Sequence, residues 1–470
     1  MKTDNRREIL KNKNRLEIGR YYSLLDWLDA GTAERLNRER ESILYALQNQ
    51  VDFGCNQTKL DVSELSPGCE LCAAGQWSCL FINGKCNASC FYCPAEQNEL
   101  GVPQSNGLEF STPESWIAYV RKFKFKGLSL SGGEPLLTFD RSLDYLKAAK
   151  SAFGDTVHFW LYTNGLLATE EKMQMLADAG LNEIRFDIGA TNYNLKYLKT
   201  AIGKIPTVTV EIPAVPEKIE LLKEKVKEMA DVGVNFLNLH QLRMTAHNLP
   251  KFAERGYLLS HGEKVTVPES ELTALKLIQY VKENEIPLPI NYCSFAFKNR
   301  YQHASGRYRI AKEIVEDYES LTPNGYIRSL AISGSPRWIS DTVKQLKSEI
   351  PGWKWYHERN SARIFIHPDC LAFISFTGLR LHVSYHVTRM RRQHETLFAS
   401  REIFMGESDA IFVQRHPSCP EILLSLHEIK VFRELISTHS KKIFTELLDD
   451  VFWYEIVNHE FIPFGLPDYF

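Results

Sequence analysis

Three cysteines, Cys86, Cys90 and Cys93, stand at a spacing that lets three thiolates converge on one object. They follow a short apolar run, Cys79 to Ile82, that is broken by Asn83–Gly84. A strand that ends in a loop carrying three thiolates reads as a metal site. Three thiolates on a four-iron cube leave one iron without a protein ligand. An open coordination position is what a catalytic cluster requires, whereas a cluster that only carries electrons is usually held by four cysteines. A zinc reading of the same region stays open: Cys69-x2-Cys72 and Cys90-x2-Cys93, with 17 residues between the pairs, have ribbon spacing, although a ribbon leaves Cys86 unused.

A second motif lies downstream. Residues 128–135, LSLSGGEP, read as an apolar strand running into the turn Gly132–Gly133–Glu134–Pro135. Two glycines can expose backbone oxygens to an ammonium group, and the glutamate adds negative charge beside it. Cys86-x3-Cys90-x2-Cys93, with Tyr92 before the last cysteine and this turn following, resembles the radical S-adenosylmethionine (radical SAM) superfamily. The upstream Gly68-Cys69-x2-Cys72 is similar to a group in it related to the activating enzymes of pyruvate formate-lyase, and the resemblance covers residues 68–300.

The resemblance implies a 4Fe–4S cluster on Cys86, Cys90 and Cys93, whose free iron chelates S-adenosylmethionine. It implies that Gly132, Gly133 and Glu134 meet the methionine amino group and that Tyr92 flanks the cofactor. Thr163, Asn164, Asp187, Glu211, Asn238 and His240 would contact its ribose, carboxylate and adenine. An electron from an external reductant, such as flavodoxin or ferredoxin, would then yield methionine and a 5′-deoxyadenosyl radical that takes hydrogen from a substrate. The cofactor carries that chemistry, and the protein supplies binding and orientation. No residue is assigned to act on the substrate.

Such a site needs a scaffold that brings distant loops together. From residue 78 the pattern is strand, loop, helix, repeated, with strands at 78–83, 125–131, 156–162, 182–188, 206–212 and 234–239. Thr112 and Pro113 open one helix, a second covers 139–152, and a third runs from 169 to 179 before Gly180. A fourth, 217–231, has the apolar stripe Ile219, Leu222, Val226 and Met229. Repeated βα units predict an α/β fold with a parallel sheet, and the resemblance implies an open (β/α)6 partial TIM barrel of the radical SAM type. Chemistry in such folds sits at the C-terminal ends of strands. Asn164, Arg185, Asp187, Glu211, Asn238 and His240 fall at or near those ends. Arg185 and Asp187 share a strand face, so they could line a pocket or pair with each other. Asn164–Gly165 also fits a plain turn, and His240 a histidine without a ligand.

Around this core, residues 1–70 form an N-terminal lead-in, helical over 5–50 with Thr32 as a candidate N-cap and irregular over 51–77. The core spans 71–310. A helix opens near Pro268, a short strand ends at Cys293, and the basic stretch 298–311 reads as a solvated helix or lid. Residues 320–470 form a C-terminal α+β domain with strands at 326–333, 363–367, 371–377 and 379–386 and helices near 338–349 and 420–450. Its His367, Cys370, His382 and His386 read as core or surface residues, with metal binding the alternative.

Seven of the ten cysteines lie between positions 55 and 93, which points to metal rather than to a disulfide scaffold. Cys69, Cys72, Cys79 and Cys293 are surplus to the first cluster and number four, enough for an auxiliary iron–sulfur cluster or a zinc ion. The charged N-terminal stretch lacks the apolar region of a secretory signal, and no run of 18 apolar residues is present, so the cytoplasm is expected and no membrane partner. A net charge of −2 gives no footprint for nucleic acid. Three functions fit these residues. The first is a radical SAM enzyme acting on an unidentified substrate. The second is an activating enzyme that installs a glycyl radical on a protein, for which the extra 150 residues are a surplus. The third is a zinc-stabilised binding or scaffold protein with a degenerate barrel.

Overall fold

The computed structural model describes residues 3–358, 361–395, 397–406, 409–448 and 450–470. Residues 1 and 2 of the expected lead-in, and residue 449 in the expected helical run 420–450, lie outside that set. The chain forms two compact units, one of Arg7–Gln302 with Pro463–Phe470, the other of Met1–Arg6 with His303–Ile462.

The first unit is built on a parallel sheet. Its strands, in order, are Trp77–Lys85, Gly127–Gly132, His158–Thr163, Glu183–Phe186, Thr207–Pro213 and Phe236–His240, the six expected, followed by Ile290–Cys293 as a seventh. The seventh strand was expected to lie beyond the barrel. It pairs parallel to the sixth, with His240 opposite Cys293. The sheet does not close among the described residues. Its first strand is flanked by Gln104–Ser105 and its seventh by Lys59–Leu60, both antiparallel.

Residues 51–77, read as irregular, instead contain that added strand and the helix Pro67–Ala73, so much of the lead-in is part of the barrel unit. The helix forms because Ser66 accepts from the Cys69 amide and Pro67 occupies the first turn. Upstream, the helix Ala30–Leu47 is capped by Asp29, which accepts from Thr32 N, so Thr32 is the capped donor and not the cap. Leu36, Ile43 and Leu47 form its buried face. Further on, Thr112 caps Pro113–Phe123, and Gly233 ends Ile219–Val232 in the left-handed region that suits glycine.

Strand alternation divides the sheet into an apolar and a polar face. Ile184, Phe186, Val208, Val210, Leu237 and Leu239 are fully buried apolar residues. Between them stand Glu183, Arg185, Thr209, Glu211, Asn238 and His240, which bond to one another inside the barrel. Arg185 bridges two carboxylates, at 2.8 Å from Glu183 Oε1 and 2.7 Å from Glu211 Oε2. Residues 463–470 return to this unit after the second has been traversed. Tyr469 donates to Glu271 Oε1 at 2.6 Å, and Arg40 holds the Pro467 carbonyl at 2.7 Å.

The second unit is an antiparallel sheet with strand order Trp355–His357, Arg363–Ile366, Ile327–Gly334, Leu379–Arg391, Ala410–Pro417 and Ser400–Phe404. Helices Pro336–Glu349 and Leu426–Thr438 pack Ile339, Leu346, Phe432 and Leu435 onto its buried face. The strand expected at 371–377 is absent. Pro368–Ala372 is a 3-10 turn, because His367 accepts from Asp369 N and Pro368 sets the first turn, and Leu371, Ile374 and Phe376 enter the core from a loop. Strands 400–404 and 410–417 were not anticipated. His382 bonds to Ser333 and Glu421 within this unit. No helix among the described residues is long and apolar enough to cross a membrane.

The buried ion network makes a measurable demand. Burial raises the Glu183 carboxyl, but Arg185 and His158 outweigh it and hold the group down to about 2. A depressed carboxyl contributes stability that is present above its unfolded value of about 4.3 and is lost as pH falls through the folded value. Acid unfolding of the wild type is therefore expected to include a component between about pH 4 and 2 that Glu183→Gln removes. Arg185→Met leaves two carboxylates without their cation and is expected to cost about 3–5 kcal/mol in urea denaturation. A loss below about 1 kcal/mol would show that the network is solvated.

Candidate functional site

The first strand delivers the chain to Cys86, and the following loop carries the remaining two thiols of the set. All three are partly exposed and none is in a disulfide. The loop is turned by Cys93 N donating to Cys90 O at 3.2 Å. It is then pinned from four sides. Asn164 Nδ2 donates to Asn87 Oδ1 at 2.7 Å and lies 3.5 Å from Cys86 Sγ. Tyr92 donates its hydroxyl to both oxygens of Asp187, at 2.8 and 3.0 Å. Asn248 and Lys251 reach the carbonyls of Tyr92 and Ser89, each at 3.3 Å. The Arg255 guanidinium lies 3.6 Å from the Phe91 ring centroid. Asn87, Asn248 and Lys251 were not singled out from sequence, since single polar residues in loops carry no spacing signal.

The two glycines of the turn do their work against the backbone. A Cβ on Gly132 would lie 2.1 Å from Asn83 O, and one on Gly133 2.0 Å from Lys85 O. The space is closed by hydrogen bonds: Gly133 N to Asn83 O at 2.9 Å, Glu134 N to Lys85 O at 2.8 Å, and Asn83 Nδ2 to Glu134 O at 2.9 Å. The turn and the entrance to the cysteine loop are thus one piece of backbone. Glu134 was expected to lend charge beside an ammonium. Its carboxylate is instead buried and accepts from Leu136 N, Thr163 Oγ1 and Asn164 N, which ties the end of the second strand to the end of the third. Burial pushes its pKa up, and those amides pull against it. Glu134 thus fixes Thr163 and the backbone of Asn164, whose side chain bonds the cysteine loop directly.

Asp187 does not pair with Arg185. Burial raises it to about 6, while the Tyr92 hydroxyl and the Gly189 amide stabilise its charged form. Glu211 joins Arg185, Asn238 and His240, and its carboxyl lies well below the usual range, since His240 and Arg185 outweigh burial. His240 Nε2 is 2.6 Å from Glu211 Oε1. Burial lowers the imidazole's pKa, and His240 Nδ1 is buried with no hydrogen-bond partner among the described residues. Asn238 sits deeper, with its amide 3.2 Å from Glu211 Oε2 and 3.1 Å from Cys69 Sγ.

Of the surplus cysteines, Cys69 and Cys293 are buried and Cys72 is half-buried. Cys79 stands on the first strand opposite Ser129, and burial pushes its thiol up to about 11.

These residues can take an iron–sulfur cluster and a polar cofactor. Three free thiols share one pinned loop, the turn beside it is built by two glycines, and an unpartnered imidazole nitrogen waits in the same barrel interior. A family model described as the radical SAM superfamily matches residues 80–211. A protein of Methanocaldococcus jannaschii named as a glycyl-radical enzyme activating enzyme is 33% identical over 277 residues, covering 56% of this chain and 72% of its own. A second from that organism, named as a GTP 3′,8-cyclase, is 30% identical over 162 residues, covering 32% of this chain and 51% of its own. Among solved structures, SuiB of Streptococcus suis aligns at a TM-score of 0.36 and 14% identity, over 68% of this chain and 65% of that one.

Two outcomes follow from this geometry. Gly133→Ala must part the turn from Lys85, and iron retained after anaerobic reconstitution is expected to fall by at least about half. Iron content equal to wild type would show that the two segments separate freely. Burial, with the Asp187 charge, raises Cys90 to about 12, so binding iron through this sulfur would have to drive off its proton. Iron uptake is expected to be faster at about pH 8.5 than at about pH 6.5, because ligation releases protons.

Proposed function

Because the chain belongs to the radical SAM superfamily, we propose that Cys86, Cys90 and Cys93 are the ligands of its catalytic cluster and that the pinned loop fixes where the open iron points. Bound there, a 4Fe–4S cluster supplies the electron that splits S-adenosylmethionine into methionine and a radical able to take hydrogen from a substrate. The single observation that carries the assignment is the weld between Gly132–Gly133 and Asn83–Lys85, which puts the loop entrance and the turn in one backbone unit.

The chain's own residues then have distinct tasks. Tyr92 and Asp187 brace the loop from the fourth strand. Glu134 locks Thr163 and Asn164 beneath Cys86, and Asn164 itself steadies the loop through Asn87. The backbone of Gly132–Pro135 and the side chains of Glu211 and His240 are the polar surface offered to the cofactor. His240 is held by Glu211 through Nε2, and its Nδ1, without a partner among the described residues, is the atom it can turn to a bound hydroxyl or amino group.

The substrate is a molecule other than the cofactor, and the second unit, Met1–Arg6 with His303–Ile462, lies outside the barrel and supports a dedicated substrate-specific enzyme. A second reading, activation of a glycyl-radical enzyme, is favoured by the name of the Methanocaldococcus relative. Radical SAM chemistry requires an external electron donor, and a flavodoxin or ferredoxin in the cytoplasm fits that need.

Anaerobically reconstituted protein with dithionite is expected to form 5′-deoxyadenosine, and Cys90→Ala to form none. Product at the wild-type rate from Cys90→Ala would overturn the ligand assignment. A glycine-centred radical signal in a partner protein, dependent on the wild type, would decide for the activating enzyme.

A further inference from the structure

The barrel interior holds three thiols that the catalytic loop does not use. Cys69 and Cys72 project from the helix Pro67–Ala73, and Cys293 ends the seventh strand. Each sulfur faces a donor: Asn238 Nδ2 at 3.1 Å from Cys69, Gln302 Nε2 at 3.1 Å from Cys72, and Lys59 Nζ at 2.7 Å from Cys293. Cys69 and Cys72 lie one turn apart on that helix, and a hydrogen-bonded chain through Asn238, Asn291 and Lys59 joins Cys69 to Cys293.

Lys59 shows what charge the pocket expects. It is 1% exposed, and no carboxylate forms an ion pair with it among the described residues. Its acceptors are Asn291 Oδ1 at 2.7 Å and Cys293 Sγ. A buried ammonium is strongly disfavoured without a negative partner, and the residues it contacts here supply only an amide oxygen and a sulfur. Lys298 also lies where the charges of Cys293 and Cys72 act on it. Asn238, Gln302, Lys59 and Lys298 around three thiols describe a site for thiolates, and thiolates held together need a metal to offset their repulsion.

We propose that Cys69, Cys72 and Cys293 hold a second four-iron cluster inside the barrel, with Lys59 as its counter-charge and one iron free of thiolate. Cys79, expected as a fourth ligand, is left out of it, since no hydrogen bond ties it to Lys59, Asn238 or Asn291 among the described residues and it stands on the first strand opposite Ser129. A single tetrahedral zinc ion would draw its thiolates to about 3.8 Å apart, from bonds of about 2.3 Å. Among the described residues these three sulfurs do not gather within 4.8 Å of one another, which is looser than that zinc geometry. The inference is independent of the assignment of the catalytic loop.

The test is iron and sulfide analysis with Mössbauer spectroscopy after anaerobic reconstitution with ferrous iron and sulfide. The wild type is expected to hold about eight irons, and Cys69→Ser/Cys72→Ser about four. Cys86→Ala/Cys90→Ala/Cys93→Ala is expected to keep about four as well, which tests the proposal even if the first variant fails to fold. Lys59→Met is expected to lower the reduction potential of one cluster and leave the other unchanged, since a positive charge beside a thiolate favours the reduced form. An iron-free triple variant, or one zinc per chain that vanishes in Cys69→Ser/Cys72→Ser, would overturn the second cluster.

Discussion

Arg185 is the constraint on which the barrel interior rests. A parallel sheet covered by helices normally buries apolar side chains on both faces. This one turns Glu183, Glu211 and His240 inward, and it can do so because one guanidinium satisfies both carboxylates while stacking near Trp160 and Tyr162. The fork of fixed donors suits that task in a way a lysine would not. Around Arg185, polar groups continue without a gap: Ser66 below, Glu211 and Asn238 beside it, His240 above. The interior is therefore a hydrogen-bonded medium in which charged or metal-bound groups can sit.

Much of this was legible in the residues. The six strands and four helices of the barrel could be placed because apolar runs, Pro113, Gly180 and Gly233 punctuate them, and local signals of that kind survive folding. The three cysteines and the glycine turn were equally plain, being contiguous motifs. What could not be read was long-range. Lys59 looks like any surface lysine until Asn291 and Cys293 are brought beside it from 232 and 234 positions away. Glu134 carried the right address and a different task, because its hydrogen-bond partners lie on another strand. In the second unit, Ile374 and Phe376 have the two-residue spacing of a strand, yet Pro368 starts a turn and the core takes them, with Leu371, from a loop.

The two sets of thiols occupy one unit but are held by different means. The loop of Cys86, Cys90 and Cys93 lies at the surface and is fixed by hydrogen bonds to its backbone, so its sulfurs stay available. Cys69 and Cys293 are buried, and their sulfurs are addressed directly by side-chain donors. Hydrogen bonds to sulfur and local charge are the levers that set an iron–sulfur centre's potential. The fold thus leaves the outer sulfurs partly exposed and sets side-chain donors against the inner ones.

The return of residues 463–470 to the first unit has a consequence for how the protein is made. A ribosome extrudes the barrel strands early, yet Glu271 and Arg40, both nearly fully buried, acquire Tyr469 and Pro467 as partners only after the whole second unit has been synthesised. Domains generally fold as units during synthesis, the N-terminal one first. Here the leading unit has to wait, holding a buried carboxylate and guanidinium that are incompletely matched, until the last of these segments leaves the exit tunnel. Translation speed through the second unit sets how long that nascent barrel remains unfinished and exposed to proteases and chaperones.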